Sequence, residues 1–403
     1  MMNKRVLVWL LLSMTLLGVS GTDIYVPSLP QMVSDFHTSP TMVNSTILCF
    51  NLGMALSVLY TGVLSNRFGR KSVLIGGILI FSLSALLIAW APTIHLVLIL
   101  RGIQGVGCGG IIVVQRLILR DTMNEREQIH AGGMLALGAT ISPAIAPIIG
   151  AFLAKIWSWH VCFLASAALG FIIAIISTII IEETNTTPIK KLPSTAAYLY
   201  DYLVLLRDPI CLSLISILSL TFATYFAFIG ISSYLYITNL GLSPIVYSYI
   251  FILLAASYFV GNSYMMYLNK NGTASSSIIK KGVLLGVIGG VISFVSLIGH
   301  HHWLILISLT FGVVITRIAA AFIINPIQIK ITNHFKERGA LALGIAICLQ
   351  FGTAGVAAAV VGLFTEPRLL YGFVCLSNAC LVLAALSFFI LARQENKRYK
   401  KAN

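Results

Sequence analysis

The chain has 403 residues, of which 58% are apolar and only 9% are charged. Soluble domains contain about 45–50% apolar and about 25% charged residues, so this composition excludes an ordinary soluble protein. The formal net charge of +14 would suit nucleic-acid binding, but the placement of the basic residues excludes that class, as described below.

Twelve apolar runs follow one another along the chain, each long enough to cross a hydrocarbon core of about 30 Å. The connections between them are polar or rich in glycine, proline, asparagine and serine, which is typical of turns. The sequence therefore predicts an all-α polytopic membrane protein. The runs cover residues 6–29, 41–64, 72–91, 96–119, 130–154, 161–181, 209–237, 244–268, 281–299, 303–329, 340–364 and 369–392.

The basic residues are concentrated in alternate connections. Of the 26 Lys and Arg residues, 21 lie on the side of the two termini, two lie on the opposite side and three lie inside the runs. Because cytoplasmic loops carry an excess of Lys and Arg, we predict that both termini are cytoplasmic and that the protein resides in the cell (inner) membrane. This asymmetry explains the net charge without nucleic acid as a partner.

The longest polar connection divides the runs into two sets of six. We predict an N-terminal six-helix bundle at 1–181, a cytoplasmic linker at 182–208, and a C-terminal six-helix bundle with a basic cytoplasmic tail at 209–403. Two such halves are typical of transporters built from repeats, which bind substrate near the membrane midplane.

Asp23 is the only acidic residue inside the twelve runs. Arg101 lies in the fourth run at a similar predicted depth, and a charge inside an apolar span normally faces a partner in the bundle interior. We therefore predict an Asp23–Arg101 pair that couples transport to protons. Burial favours the protonated carboxyl and the guanidinium favours the carboxylate, so Asp23 can load and release a proton. A permanent structural ion pair and an aspartate facing water are the alternatives.

The connection between runs two and three reads Gly62-Val-Leu-Ser-Asn-Arg-Phe-Gly-Arg-Lys71. It is similar to the loop signature of the major facilitator superfamily, G-x-L-(S/A)-D-R-x-G-R-(K/R). The signature aspartate is thought to latch the cytoplasmic gate, and Asn66 replaces it here without the charge. The resemblance implies a major facilitator fold of two six-helix bundles, and a gating role for the residues Gly62, Asn66, Arg67, Gly69, Arg70 and Lys71.

Two further segments carry the resemblance. The fourth-run sequence Arg101-Gly-Ile-Gln-Gly-Val-Gly107 looks like the family motif R-x-x-Q-G-x-G, which lies on a cavity-lining helix. The fifth run is similar to the antiporter motif G-x8-G-x3-G-P-x2-G-G. Small residues replace some of its glycines, while Pro143, Pro147 and Gly150 remain as a helix-packing motif.

The first run contains Asp23-Ile-Tyr-Val-Pro-Ser-Leu-Pro30. This segment resembles the first helix of the bicyclomycin/chloramphenicol-resistance group of drug:proton antiporters, and the resemblance implies proton-driven export.

The predicted substrate cavity combines residues from both halves. Aromatic side chains with polar tips in the seventh run suit flat, hydrophobic or cationic ligands, although core and interface aromatics fit the pattern as well. Arg317, in the tenth run, lacks an acidic partner in the runs of its half, and meets either a substrate anion or carbonyls freed near Pro326. The cavity residues are Tyr25, Gln104, Tyr225, Phe226, Arg317 and Asn325.

Other energy sources and chemistries find no support in the sequence. There is no Walker A motif for ATP, no catalytic constellation and no metal-ligand spacing, so we predict neither an enzyme nor a cofactor. We predict a monomeric transporter in the lipid bilayer that uses protons to export small hydrophobic or amphipathic compounds by alternating access. A dedicated transporter of one metabolite (a siderophore, amino acid or sugar) and a non-transporting membrane receptor or sensor are the alternatives.

Overall fold

The computed structural model describes residues 4–185, 195–298, 301–335, 339–364 and 368–402. Within these ranges the chain is almost entirely helical and contains no β-strand. The helices are α1 (Lys4–Asp23), α2 (Leu29–Asp35), α3 (Pro40–Phe68), α4 (Arg70–Ile88), α5 (Ile94–Thr122), α6 (Glu125–Ile156), α7 (Trp159–Ile180), α8 (Thr195–Arg207), α9 (Pro209–Ser233), α10 (Pro244–Lys270), α11 (Ser275–Ile298), α12 (His302–His334), α13 (Gly339–Val361) and α14 (Leu369–Ala402).

Twelve helical segments in the described ranges are long and apolar enough to cross a membrane, by length and composition. Each corresponds to one of the twelve predicted runs, so the predicted all-α fold with twelve transmembrane helices is confirmed. Large apolar side chains point outward from these segments: Ile99 is 63% exposed and Ile179 is 78% exposed. Such exposure fits lipid as the surrounding solvent.

The first membrane segment, predicted as one apolar run at residues 6–29, is interrupted in the structure. Helix α1 ends at Asp23, a 3₁₀ turn follows at Val26–Ser28, and α2 continues to Asp35. The physical reason is Pro27, which has no backbone N–H to donate to the preceding helical turn. The break places Asp23, the last residue of α1, in the protein interior.

A short helix lies in the segment that the sequence analysis assigned to a linker. Helix α8 buries Tyr202 and Leu205 while Tyr200 and Leu203 stay exposed. One face of α8 is buried and the other is exposed, which is typical of an amphipathic helix. With 13 residues, α8 is too short to cross a membrane. The predicted boundaries of the two bundles and the linker stay a prediction.

The chain forms two compact units, which we call the N-terminal unit (residues 1–192 and 243–252) and the C-terminal unit (residues 193–242 and 253–403). In the N-terminal unit α5 packs against α3 and α4, and α1 packs against α6 and α7. In the C-terminal unit α12 packs against α11, and α9 packs against α13 and α14.

Candidate functional site

Arg101 lies at the centre of a polar cluster inside the N-terminal unit. Its side chain is fully buried. One terminal nitrogen, Nη1, donates hydrogen bonds to the Gly21 carbonyl oxygen at 2.9 Å and to Gln104 Oε1 at 2.7 Å. The other, Nη2, donates to the Tyr25 hydroxyl at 3.4 Å, and Nε approaches the Thr46 carbonyl oxygen at 3.5 Å. The guanidinium thus joins α1, α3 and α5 through directed hydrogen bonds.

Aromatic rings enclose the same guanidinium. Its central carbon lies 4.3 Å from the ring centroid of Phe50, 4.8 Å from that of Tyr25 and 5.8 Å from that of Phe163. The Tyr25 hydroxyl also lies 2.8 Å from the Thr46 hydroxyl oxygen. Rings within about 6 Å attract a cation through their negative faces, so the positive charge is held in an apolar interior without exposure to solvent.

Asp23 is the last residue of α1 and is 3% exposed. The Gly21 carbonyl, two residues earlier on this helix, accepts a hydrogen bond from Arg101. Asp23 and Arg101 therefore lie at similar depth in the N-terminal unit, as the sequence predicts. Their direct coupling stays a prediction. The predicted coupling and cavity residues of this unit are all buried; they are Asp23, Tyr25, Arg101 and Gln104.

Gly150 of α6 lies directly against the backbone next to Asp23. A Cβ atom at Gly150 would overlap the carbonyl oxygen of Ile24. One turn and two turns earlier, Pro147 and Pro143 lie inside α6 without ending it. Since small residues let helices approach closely, Gly150 permits the close approach of α6 to the end of α1. The packing role of Pro143 and Pro147 stays a prediction.

Replacing Gly150 by Val is expected to displace α1 and to reduce both thermal stability and transport. The added side chain overlaps backbone, which cannot move aside as a flexible side chain can. The matched control is Gly133→Val on the same helix, because a Cβ at Gly133 meets no atom within 4 Å. Thermal unfolding of the purified variants checks the prediction, and equal melting temperatures for the two variants would contradict it.

The loop between α3 and α4 forms a second polar cluster. Gly69 joins the two helices with a φ of 92°, a conformation that glycine adopts readily. The Arg70 side chain is buried; its Nε lies 3.1 Å from Asp121 Oδ2, and its Nη1 donates to the Ser65 hydroxyl at 2.6 Å. The Glu183 carboxylate accepts from the backbone N–H groups of Arg70 and Lys71, at 2.8 Å and 3.2 Å. These contacts tie the ends of α3, α4 and α5 to the segment after α7.

The remaining predicted loop residues lie at the edge of this cluster. Lys71 Nζ donates to the Thr178 carbonyl oxygen at 2.8 Å, and the Asn66 carbonyl oxygen accepts from Asn185 Nδ2 at 2.8 Å. The Arg67 side chain lies over the Phe68 ring, and Gly62 meets no neighbour at the position of a Cβ. The gating role of the loop stays a prediction.

Replacing Glu183 by Ala is expected to destabilise the N-terminal unit by about 0.5–2 kcal/mol, the usual cost of a lost helix N-cap. The substitution removes the acceptor of two N–H groups in the first turn of α4. Glu182→Ala is the control, because Glu182 is exposed and makes no hydrogen bond within the described residues. Urea or thermal unfolding of the purified protein checks the difference, and similar losses in the two variants would contradict it.

Arg317 is the centre of a third cluster, in the C-terminal unit. Its guanidinium carbon lies 3.9 Å from the Tyr225 ring centroid and 5.0 Å from that of Tyr258. Phe226 packs edge-on against Tyr225, with ring centroids 5.7 Å apart. The predicted residues Tyr225, Phe226 and Arg317 are therefore neighbours. Asn325 lies apart from them, where its Nδ2 donates to Asn262 Oδ1 at 3.0 Å.

Among the residues that the structure describes, no group of three or more His, Cys, Asp and Glu side chains could hold a metal ion. The polar clusters instead combine arginine with aromatic, amide and hydroxyl groups.

Residues 11–271 match the family model of the Major Facilitator Superfamily. The chain belongs to the Major Facilitator Superfamily. This assignment, with its twelve apolar helices, makes it a multi-pass membrane protein. The family resemblance predicted from the loop and the fourth run is confirmed.

Multidrug resistance proteins are among the proteins to which this chain is similar. It is 33% identical to the multidrug resistance protein MdtL of Salmonella heidelberg (strain SL476) over 181 residues, which is 45% of each chain. It is 30% identical to MdtL of Klebsiella pneumoniae (strain 342) over 243 residues, 60% of this chain and 61% of that protein. The match thus spans less than two thirds of either relative.

A solved structure supports the fold. The bacterial homologue of the human lysosomal transporter Spinster, solved in an inward-facing and unoccupied conformation, superposes with a TM-score of 0.73. The superposition covers 97% of both chains at 15% identity. At this identity the likeness extends to the fold alone, and it agrees with the twelve-helix superfamily architecture.

Several residues of these clusters were not predicted from the sequence. Tyr258 and Asn262 were not singled out, because neutral residues on a long apolar helix give no signal about the direction in which they point. Glu183 stands in a short acidic pair far along the chain from the basic loop that it caps. The available signal for this contact was charge. The acidic residues after the sixth run and the basic residues between runs two and three are predicted to lie on the same side of the membrane.

Proposed function

We propose that this chain is a proton-coupled exporter of small hydrophobic or amphipathic compounds that works by alternating access. It acts as a monomer in the inner membrane with both termini in the cytoplasm. Its partners are the substrate, protons and the bilayer, and it catalyses no covalent chemistry. Substrate binds near the membrane midplane, where transporters of repeated architecture place their sites.

The observation that carries the proposal is the position of Asp23. Asp23 lies at the end of an interrupted helix, and only 3% of it is exposed. The run around it is predominantly apolar. Intramembrane ionisable residues are costly and typically mark ion or proton pathways. The similarity to proteins named for multidrug resistance favours drugs as the exported compounds.

The same geometry supports a coupling step. Arg101 holds the Gly21 carbonyl and the Tyr25 hydroxyl, which flank Asp23 along the chain. A change in the protonation of Asp23 therefore changes the electrostatic balance at a guanidinium that joins three helices. If the proton favours one conformation and the substrate the other, each ligand alters the affinity for the other by the same factor.

The experiment uses purified protein in liposomes that contain a pH-sensitive dye. Imposing a proton gradient should drive accumulation of a fluorescent hydrophobic compound, and adding that compound should release protons. Several chemically unrelated compounds should compete with one another. Transport without competition, by one saturable metabolite, would instead support the dedicated transporter, and binding without any flux would support the receptor.

A further inference from the structure

The fully buried Arg101 and the half-buried Arg317 differ in how many hydrogen bonds their guanidinium groups make. Arg101 donates hydrogen bonds to Gly21, Gln104 and Tyr25. Within the described residues, Arg317 makes no hydrogen bond and no ion pair, and its Nε is buried without a partner. An arginine carries five N–H donors, so the Arg317 site has donor capacity that the described part of the protein leaves unused.

Among the described residues, Arg317 has aromatic rings beside it and no carboxylate within 4.0 Å. The Tyr225 and Tyr258 rings lie 3.9 Å and 5.0 Å from its guanidinium carbon. Tyr258 reaches this position because α10 and α12 approach closely at Gly261, where a Cβ would lie 3.0 Å from the Ile318 backbone. Two acidic groups of the C-terminal unit, Asp208 and Glu395, form ion pairs with His334 and Lys330, respectively.

An unpaired cation in an apolar segment is costly unless an anion neutralises it. Since no carboxylate of the described residues lies within 4.0 Å of the half-buried Arg317 side chain, the site can accept a balancing charge from a ligand. The guanidinium fork matches the two oxygens of a carboxylate, and the tyrosine rings offer flat surfaces for stacking.

We propose that Arg317, Tyr225 and Tyr258 form an anion-binding subsite that selects aromatic compounds carrying a carboxylate, and that discriminates against lipophilic cations. This inference rests on the proposed export of small amphipathic compounds and names the substrate class. Phe226, packed edge-on against Tyr225, extends the apolar surface on which the aromatic part of such a ligand rests.

The test is equilibrium binding to the purified full-length protein with three probes of one shape, 2-naphthoate, 2-naphthamide and 2-naphthylmethylammonium. Wild-type protein should bind the carboxylate about tenfold or more tightly than the neutral amide, and the ammonium most weakly, since charged hydrogen bonds are the strong ones. Equal affinities for the carboxylate and the amide would overturn the proposal.

Variants assign the effect to Arg317. In Arg317→Gln the affinity for 2-naphthoate should fall about tenfold or more, while that for 2-naphthamide changes less than about twofold. Amide binding also reports that the variant is folded. Arg393→Gln is the matched control, because Arg393 is an exposed arginine of the same unit that stacks on Phe389 at 4.2 Å. Unchanged carboxylate binding in Arg317→Gln would overturn the proposal.

A third variant covers poor folding of Arg317→Gln. Arg317→Lys keeps the positive charge but loses the fork, so it should retain a weakened preference for the carboxylate over the amide. A preference for the amide in this variant would contradict the subsite. The binding assays need neither a proton gradient nor flux. A failure of proton-driven export therefore leaves the binding result interpretable. If export occurs but the protein shows no preference for the carboxylate, only the anion-subsite proposal is wrong.

Discussion

Replacing Asp23 by Asn is expected to abolish proton-driven transport while the protein still inserts and folds. Asparagine has nearly the same size and keeps hydrogen-bonding groups, so the packing at the end of α1 is preserved. It cannot carry the proton whose binding and release drive the cycle. In liposomes with a pH-sensitive dye, substrate-induced proton release should fall to the background of empty vesicles. Exchange of substrate for substrate at equal pH should persist.

The control for this substitution is the same change at another acidic residue of the first membrane segment. Asp35 is exposed and accepts a hydrogen bond from Trp159 Nε1 at 2.8 Å, which an asparagine oxygen can also accept. Asp35→Asn should therefore transport and release protons as the wild type does. Proton-driven transport at the wild-type rate in Asp23→Asn would sink the proposed coupling role. Loss of substrate exchange as well would mean that Asp23 serves structure or substrate binding instead.

The positions of the helices were predictable because membrane thickness sets a length that the sequence must fill with apolar residues. The similar depth of Asp23 and Arg101 was predictable for a related reason, since the rise per residue converts position along a helix into depth. The depth of a residue in the membrane does not tell in which direction its side chain points around the helix axis. The sequence could not tell that Arg101 donates to the Gly21 carbonyl, nor that Tyr258 stacks on Arg317.

Contacts between distant segments were the least predictable part. Glu183 caps α4 across more than 100 residues of chain, and this contact depends on how four helices assemble rather than on any local pattern. The break in the first segment had a local cause, Pro27, yet its consequence was not foreseen. A proline in a membrane helix is compatible with a bend or with a complete interruption, and the neighbouring helices decide between them.

The second substitution with a large expected effect is at Arg101. Arg101→Lys keeps the charge but cannot supply directed donors to Gly21, Gln104 and Tyr25 at once. Each buried polar group left without a partner costs about 1–3 kcal/mol. We expect a clearly lower melting temperature and a severe loss of transport. Arg116→Lys is the control, because Arg116 lies on the same helix with an exposed side chain.

Arg101→Gln separates the charge from the hydrogen bonds. Glutamine removes the positive charge from the cluster beside Asp23, so the pH profile of residual transport should change, whereas Arg101→Lys should leave it near that of the wild type. The pH profile of transport in liposomes checks this difference. If both variants lose stability and neither shifts the profile, Arg101 acts only as the structural tie between α1, α3 and α5. A shift confined to Arg101→Gln would instead mean that the buried guanidinium sets the proton affinity on which export depends.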